Sequence, residues 1–215
     1  MSDKPPRPRG RREAMAEERR EAVLEAALAE FIASGFAATR IEDVARRADV
    51  AKGTIYLHFK DKEALFAAAV RAEMAPPAAS LAALLEDDAA QPKATLEAVL
   101  EALLQRLTQT RTGDVIRLIM SETLRFPEVT RFYRDEIVLP MMGRISALLQ
   151  RARAAGELRT PETADFPQLV IAPFLLVALT RGFDLEAVTG SADDLLRVHL
   201  ANIFRGTPDP RTSSE

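Results

Sequence analysis

The sequence predicts an all-α fold of about nine helices, in which a three-helix helix-turn-helix module precedes a larger helical domain. Three observations predict it. Ala, Leu, Glu and Arg, all good helix formers, dominate the 215 residues. Alternating apolar and polar runs, the mark of a half-buried strand, are missing. Apolar residues instead recur three and four apart, forming stripes that helical geometry would bury.

The first helix is expected from Glu17 to Ser34. Val23, Leu24, Ala27, Leu28, Phe31 and Ile32 form its apolar stripe, and Gly35 supplies a left-handed C-terminal cap. A second helix starts at Thr39, where Thr39-Arg40-Ile41-Glu42 has the form of a capping box. Its buried face is Ile41, Val44, Ala45 and Ala48. Asp49-Val50-Ala51 makes a turn into a short third helix, Lys52 to Phe59, and Asp61 caps a fourth whose buried face is Leu65, Phe66 and Val70.

Pro76-Pro77 breaks or kinks the chain. Further helices follow at about 78–87, 92–110, 114–125, 127–155, 162–184 and 191–205. Pro92, Pro127 and Pro161 fall at first helical positions, whereas Pro140, Pro167 and Pro173 fall inside helices and should bend them. The boundaries expected are a disordered basic arm at 1–16, the helix-turn-helix domain at 17–77, a C-terminal domain at 78–205 and a disordered tail at 206–215.

Composition removes several classes of function. With no cysteine, disulfide scaffolds, thiolate metal sites and cysteine nucleophiles are excluded. The only histidines are His58 and His199, so a multi-histidine metal site is not expected, nor is any cofactor. The longest apolar run, Leu169 to Leu179, is 11 residues and includes Pro173. A membrane-spanning helix needs roughly 20. The N-terminus lacks the apolar segment of a signal peptide, which predicts a soluble cytoplasmic protein without membrane partners.

The net charge of -3 is unevenly spread: residues 1–62 carry 13 Lys/Arg against 11 Asp/Glu, and the acid excess lies beyond them. The first 12 residues hold five basic side chains and one acidic. Such an arm either lies along phosphates or is a solubilising tail.

Two short helices joined by a three-residue turn and braced by a longer one make a helix-turn-helix, whose second helix enters the DNA major groove. The residues from Lys52 onward suit that task. Lys52 is a cation at the groove-facing end, Gly53 permits close backbone approach, and Thr54 can donate to phosphate or touch a thymine methyl. Tyr56 offers a hydroxyl to phosphate, and Lys62 adds charge at the start of the next helix. Ile55 and Phe59, four apart, would anchor the helix to the core.

The stretch Thr39-Arg40-Ile41-Glu42-Asp43-Val44-Ala45-Arg46-Arg47-Ala48, then Lys52-Gly53-Thr54-Ile55-Tyr56-Leu57-His58-Phe59, then Lys62-Glu63-Ala64-Leu65 resembles the signature of the TetR (tetracycline-repressor) family, AcrR-like members included. The resemblance covers about residues 17–77. It implies a homodimer with an N-terminal DNA-binding domain and a C-terminal domain that binds a small-molecule effector and loosens the grip on a double-stranded DNA operator. It also implies that Thr39 and Arg40 touch phosphate, that Lys52, Gly53, Thr54, Leu57 and His58 lie at or near base edges, and that Tyr56 and Lys62 hold phosphates. Two positions depart from the family pattern. Asp49 replaces the common turn glycine but tolerates the left-handed conformation. Ala51 replaces the usual serine and removes the side-chain cap of the reading helix. Glu42, at a position that contacts bases in some relatives, is assigned to the capping box.

The C-terminal half is less specific. Met120, Phe126, Phe132, Tyr133, Met141, Met142, Phe174 and Phe183 are core by default, yet Met and aromatic residues also line adaptable pockets. Met120, Phe132, Tyr133, Met141 and Phe174 are the candidate ligand contacts. Arg117, Glu122 and Arg181 either orient a polar ligand or are surface charges. His199 falls on an apolar stripe with Leu195, Leu196 and Ile203, as a core or interface histidine. The 162–184 helix is apolar nearly all round, which suggests burial on every side. Either it joins the 191–205 helix in a four-helix dimer interface, as in the family, or it is the central core helix of a monomer. The reading that follows is a homodimeric, ligand-responsive repressor of a pseudo-palindromic operator, not an enzyme. The alternative is a helical enzyme or protein-interaction module using a C-terminal cavity.

Overall fold

The computed structural model describes residues 9–86, 91–122, 125–180 and 191–205, and among them the chain is helical, with a single isolated bridge between Leu158 and Phe204 in place of any strand. Helix α1 spans Arg9–Ala38, so residues 9–16 of the expected arm are helical. Gly35 interrupts it with φ 74°, a conformation that glycine alone adopts without strain. Helices α2 (Ile41–Arg47) and α3 (Lys52–His58) follow, joined by a turn in which Asp49 takes φ 53°. The left-handed turn residue is therefore the aspartate, as its side chain allows.

Helix α4, Lys62–Leu84, does not break at Pro76-Pro77 but runs through both. Helices α5 (Pro92–Gln109) and α6 (Thr112–Glu122) come next. The single helix expected over 127–155 is helical throughout but not uniform. It comprises α7 (Pro127–Phe132), a π-helical segment (Tyr133–Val138) and α8 (Leu139–Ala154). The wide segment lies directly before Pro140, which has no N–H to donate and would crowd a tighter turn. The helix expected over 162–184 is also corrected. A 3-10 turn (Pro161–Asp165) precedes α9 (Gln168–Thr180), and Pro167 separates the two instead of bending one helix. Helix α10 is Ala192–Ile203. Arg181, Phe183 and the tail at 206–215 lie outside the described residues.

The chain divides into two compact units. One holds the residues up to Glu73 together with Leu118–Thr130, and the other Met74–Arg117 with the residues from Arg131 onward. In the first unit Val23, Ala27, Leu28 and Phe31 of α1 pack with Val44 of α2, Ile55 of α3 and Leu65, Phe66 and Val70 of α4, all at 1% exposure or less. Four rings form its centre. Phe31 and Phe66 meet edge-on at 5.0 Å, Phe36 meets Phe66 at 5.3 Å, and Phe126, from the link between α6 and α7, lies 4.1 Å from Phe36. Each fully buried ring of this kind adds about 1.5–3 kcal/mol of hydrophobic stabilisation.

In the second unit Leu96, Leu100 and Leu107 of α5 pack with Ile145 and Leu149 of α8 and Phe174 of α9. Arg159 N–H donates to Ile203 O, and Arg205 N–H to Glu157 O, pinning the end of α10 to the link after α8. Helix α9 is not buried all round. Val170, Phe174 and Ala178 are buried, whereas Leu169, Leu176 and Leu179 are 55%, 59% and 41% exposed. It is thus an outer helix of the single chain, not its central core. Among the described residues no helix is long and apolar enough to cross a membrane.

Candidate nucleic-acid interface

The reading helix is short, and its geometry is set from both sides. Val50 N–H donates to Ala45 O at the end of α2, which fixes the turn. Ala51 occupies the N-cap position of α3 in extended conformation and offers no side-chain acceptor, as the sequence predicts. Ile55 (1% exposed) and Phe59 (6%) anchor the helix inward. The opposite face is open: Lys52, Gly53, Tyr56, Leu57 and His58 are exposed and Thr54 partly so. Leu57, at 84% exposure, touches little of its own protein. A Cβ added at Gly53 would meet no atom within 4 Å, so nothing within the chain requires a glycine there.

Lys52 is held by a carboxylate. Its Nζ lies 2.6 Å from Glu42 Oε1 and 5.8 Å from the centre of the Tyr56 ring. The hydrogen bond from Lys52 holds the Glu42 carboxyl below its ordinary value, and the same bond raises Lys52 above its own. This corrects the capping box, because Glu42 reaches forward to α3 and not back to Thr39. Helix α2 starts two residues later than expected, and its N-cap residue, Arg40, makes no side-chain cap. Arg40 itself is exposed.

Thr39 and Lys62 depart furthest from expectation. Thr39 is 4% exposed, and its hydroxyl donates to the carbonyls of Gly35 (2.8 Å) and Glu30 (3.1 Å). Lys62 Nζ donates to Phe36 O (2.8 Å), Ala37 O (3.3 Å) and Thr39 O (2.9 Å) and stands 4.4 Å from the Phe36 ring centre. All three of its protons face carbonyls around the end of α1, where a cation satisfies groups that have no helical partner. Both side chains are thus engaged by carbonyls of their own chain. Asp61, as expected, caps α4 by accepting from Ala64 N–H at 2.7 Å. Sequence reasoning missed Lys60, which is 74% exposed at the end of the reading helix and only 3.8 Å from Asp61. Phe126 is a core ring as expected, but spacing along the chain carries no sign that it belongs with Phe36.

The candidate ligand contacts are divided between the two units. Met120 belongs to the first unit and is 45% exposed. Phe132 is buried, and burial pushes the neighbouring Tyr133 hydroxyl up to about 12. Met141 lines a cavity of about 270 Å³ in the second unit, between an alanine-rich face of α4 and residues that include Glu136 and Arg144. Phe174 is a core residue, edge-on to His199 at 5.6 Å. His199 Nε2 donates to Val170 O at 3.0 Å, and burial lowers its pKa. It is a satisfied histidine of the α9–α10 packing. Arg117 pairs with Asp114 and donates to Ala178 O at 2.8 Å, which ties α6 to α9. Glu122 is partly buried, with one carboxylate oxygen closed off from solvent and unpartnered. Among the described residues no group of three or more His, Cys, Asp or Glu is placed to hold a metal ion.

Two family models match the chain. Residues 23–69 match "Bacterial regulatory proteins, tetR family", and residues 86–197 match "Tetracyclin repressor-like, C-terminal domain". The chain is 29% identical over 197 residues to the HTH-type transcriptional regulator RutR of Escherichia coli (strain K12), covering 85% of this chain and 84% of the relative. It is 26% identical over 201 residues to the HTH-type transcriptional repressor BepR of Brucella suis biovar 1 (strain 1330), covering 90% and 92%. Among solved structures, it is similar to native NalD, the secondary repressor of the MexAB-OprM multidrug efflux pump in Pseudomonas aeruginosa. The TM-score is 0.66 at 24% identity, over 89% of this chain and all of that one. FadR from Bacillus subtilis in complex with stearoyl-CoA matches with a TM-score of 0.65 at 19% identity, over 85% and 98%.

Proposed function

The chain belongs to the tetR family of bacterial regulatory proteins, and on that footing we propose that it is a cytoplasmic repressor that binds a pseudo-palindromic operator as a homodimer and releases it when a small molecule binds the C-terminal domain. The same membership supports a regulator over an enzyme. One observation carries the DNA-binding half of the proposal: α3 is anchored by Ile55 and Phe59 and presents Lys52, Gly53, Thr54, Tyr56, Leu57 and His58 outward. A glycine that its own chain does not require, beside a leucine left almost bare, fits a surface meant to approach another molecule.

The contacts divide by chemistry. Tyr56 and Arg40 hold phosphates, while Lys52, Gly53, Thr54, Leu57 and His58 face base edges. Thr39 and Lys62 act from behind, by fixing the backbone between α1 and α2. Dimerisation falls to the exposed apolar stripe of α9 (Leu169, Leu176 and Leu179) with Val198 of α10, which a second copy would cover. Half-site centres then lie one helical turn, ~34–36 Å, or a multiple of it apart. Effector binding need shift the balance of conformations by only about 1–3 kcal/mol. Helix α4, whose first residue is Lys62, supplies the lever.

Selection of bound duplexes from a random pool, followed by binding isotherms across a salt series, tests the proposal. The selected sequences should form an inverted repeat. Tyr56→Ala should weaken binding to every sequence and make log K against log [salt] shallower by about one. Absence of any enriched sequence, or a strictly monomeric protein by sedimentation, would overturn it.

A further inference from the structure

The position of Glu42 is unexpected on a surface that must meet phosphates. A carboxylate there repels DNA of any sequence, and an ion pair between side chains 49% and 56% exposed adds little to stability. The neighbouring acids serve local structure: Asp43 pairs with Arg46 one turn along α2, and Glu30 of α1 pairs with Arg47. Glu42 instead reaches ten residues along the chain to the first residue of α3. That places a donor and an acceptor side by side on the open face of the module, 2.6 Å apart and each favouring its charged form.

Such a pair has a counterpart in the major groove. A G·C pair presents there the guanine N7 and O6 acceptors beside the cytosine N4 donor. O6 and N4 are themselves hydrogen-bonded, at about 2.9 Å. An ammonium and a carboxylate at nearly that spacing can meet both in parallel, Nζ donating to O6 and the carboxylate accepting from N4. Reversing the base pair sets donor against donor and acceptor against acceptor. T·A offers the same acceptor–donor order through O4 and N6, but it puts a methyl group where guanine puts N7.

Resting on the DNA-binding reading above, we propose that Glu42 and Lys52 act as one composite reader of a single base pair in each half-site, selecting G·C with guanine on the Lys52 side. Glu42 lowers affinity for arbitrary DNA and returns it as discrimination at one position. The carboxylate also holds Lys52 off the phosphates, so that the lysine is a base-reading group and not a counter-charge.

The test is selection from a random duplex pool at fixed salt with the full-length wild type, Glu42→Gln and Lys52→Met, each checked for helicity and sedimentation. The wild type should show a G·C preference of about tenfold or more at one position per half-site. Both variants should relax that same position, and Glu42→Gln should bind unselected DNA more tightly with a steeper salt slope. An unchanged preference in Glu42→Gln overturns the proposal, as does relaxation of different positions by the two variants. A wild type that enriches no sequence overturns the DNA-binding reading itself, and this inference with it.

Discussion

Two helix starts lie ten residues apart in the reading module and are built in opposite ways. Helix α4 begins closed: Asp61 caps its backbone, and Lys62 is committed to three carbonyls at the end of α1. Helix α3 begins open: Ala51 provides no cap, and Lys52 stands at a helix N-terminus, where a cation is disfavoured, balanced by Glu42 and the Tyr56 ring. A lysine begins each helix, yet one is a structural clamp and the other a surface group. One start is closed by contacts with the chain itself, and the other keeps its charged pair on the surface.

The strongest challenge to that contrast is Lys62→Met. Removing the ammonium strands carbonyls that it satisfies, which should destabilise the protein by about 1–3 kcal/mol. In a chain of this size that lowers Tm by roughly 2–4 °C for each kcal/mol, read by thermal unfolding. Lys52→Met should stay within about 0.5 kcal/mol of wild type, as surface substitutions do. Equal losses for the two would erase the distinction between clamp and reader.

Asp61→Ala should follow, with a loss of about 1 kcal/mol from the missing cap at α4. The smallest effect is expected at the open start. Ala51→Ser should add a cap to α3 and gain about 0.5 kcal/mol, the low end of the capping range. Denaturant midpoints resolve both changes, and a destabilising Ala51→Ser would mean that the open start is already satisfied.

Much of the module was legible along the chain. The bounds of α3, the inward Ile55 and Phe59, the left-handed Asp49, the missing cap at Ala51 and the cap at Asp61 all follow from local geometry, because each depends on residues within about one turn. The C-terminal half was less legible. Helical segments were found but their bounds shifted, and the open apolar side of α9, Leu169, Leu176 and Leu179, lies on a helix for which the dimer reading expects one face on the core and another on a partner. The π-helical segment before Pro140 and the unbroken α4 were likewise settled by how each backbone accommodates its prolines in place.

The sequence by itself determined that this protein is helical, that a helix-turn-helix opens it, and which face of α3 turns outward, because a period of 3.6 residues assigns faces before any packing occurs. The tertiary structure alone decided that Thr39 and Lys62 face inward, that Glu42 belongs to Lys52, and that Phe126 joins the aromatic centre of the module. Long polar side chains and distant rings find partners across gaps of ten to ninety residues, as the 2.6 Å Glu42–Lys52 bond and the 4.1 Å Phe36–Phe126 contact do. No local pattern encodes which carbonyl, carboxylate or ring folding brings within reach.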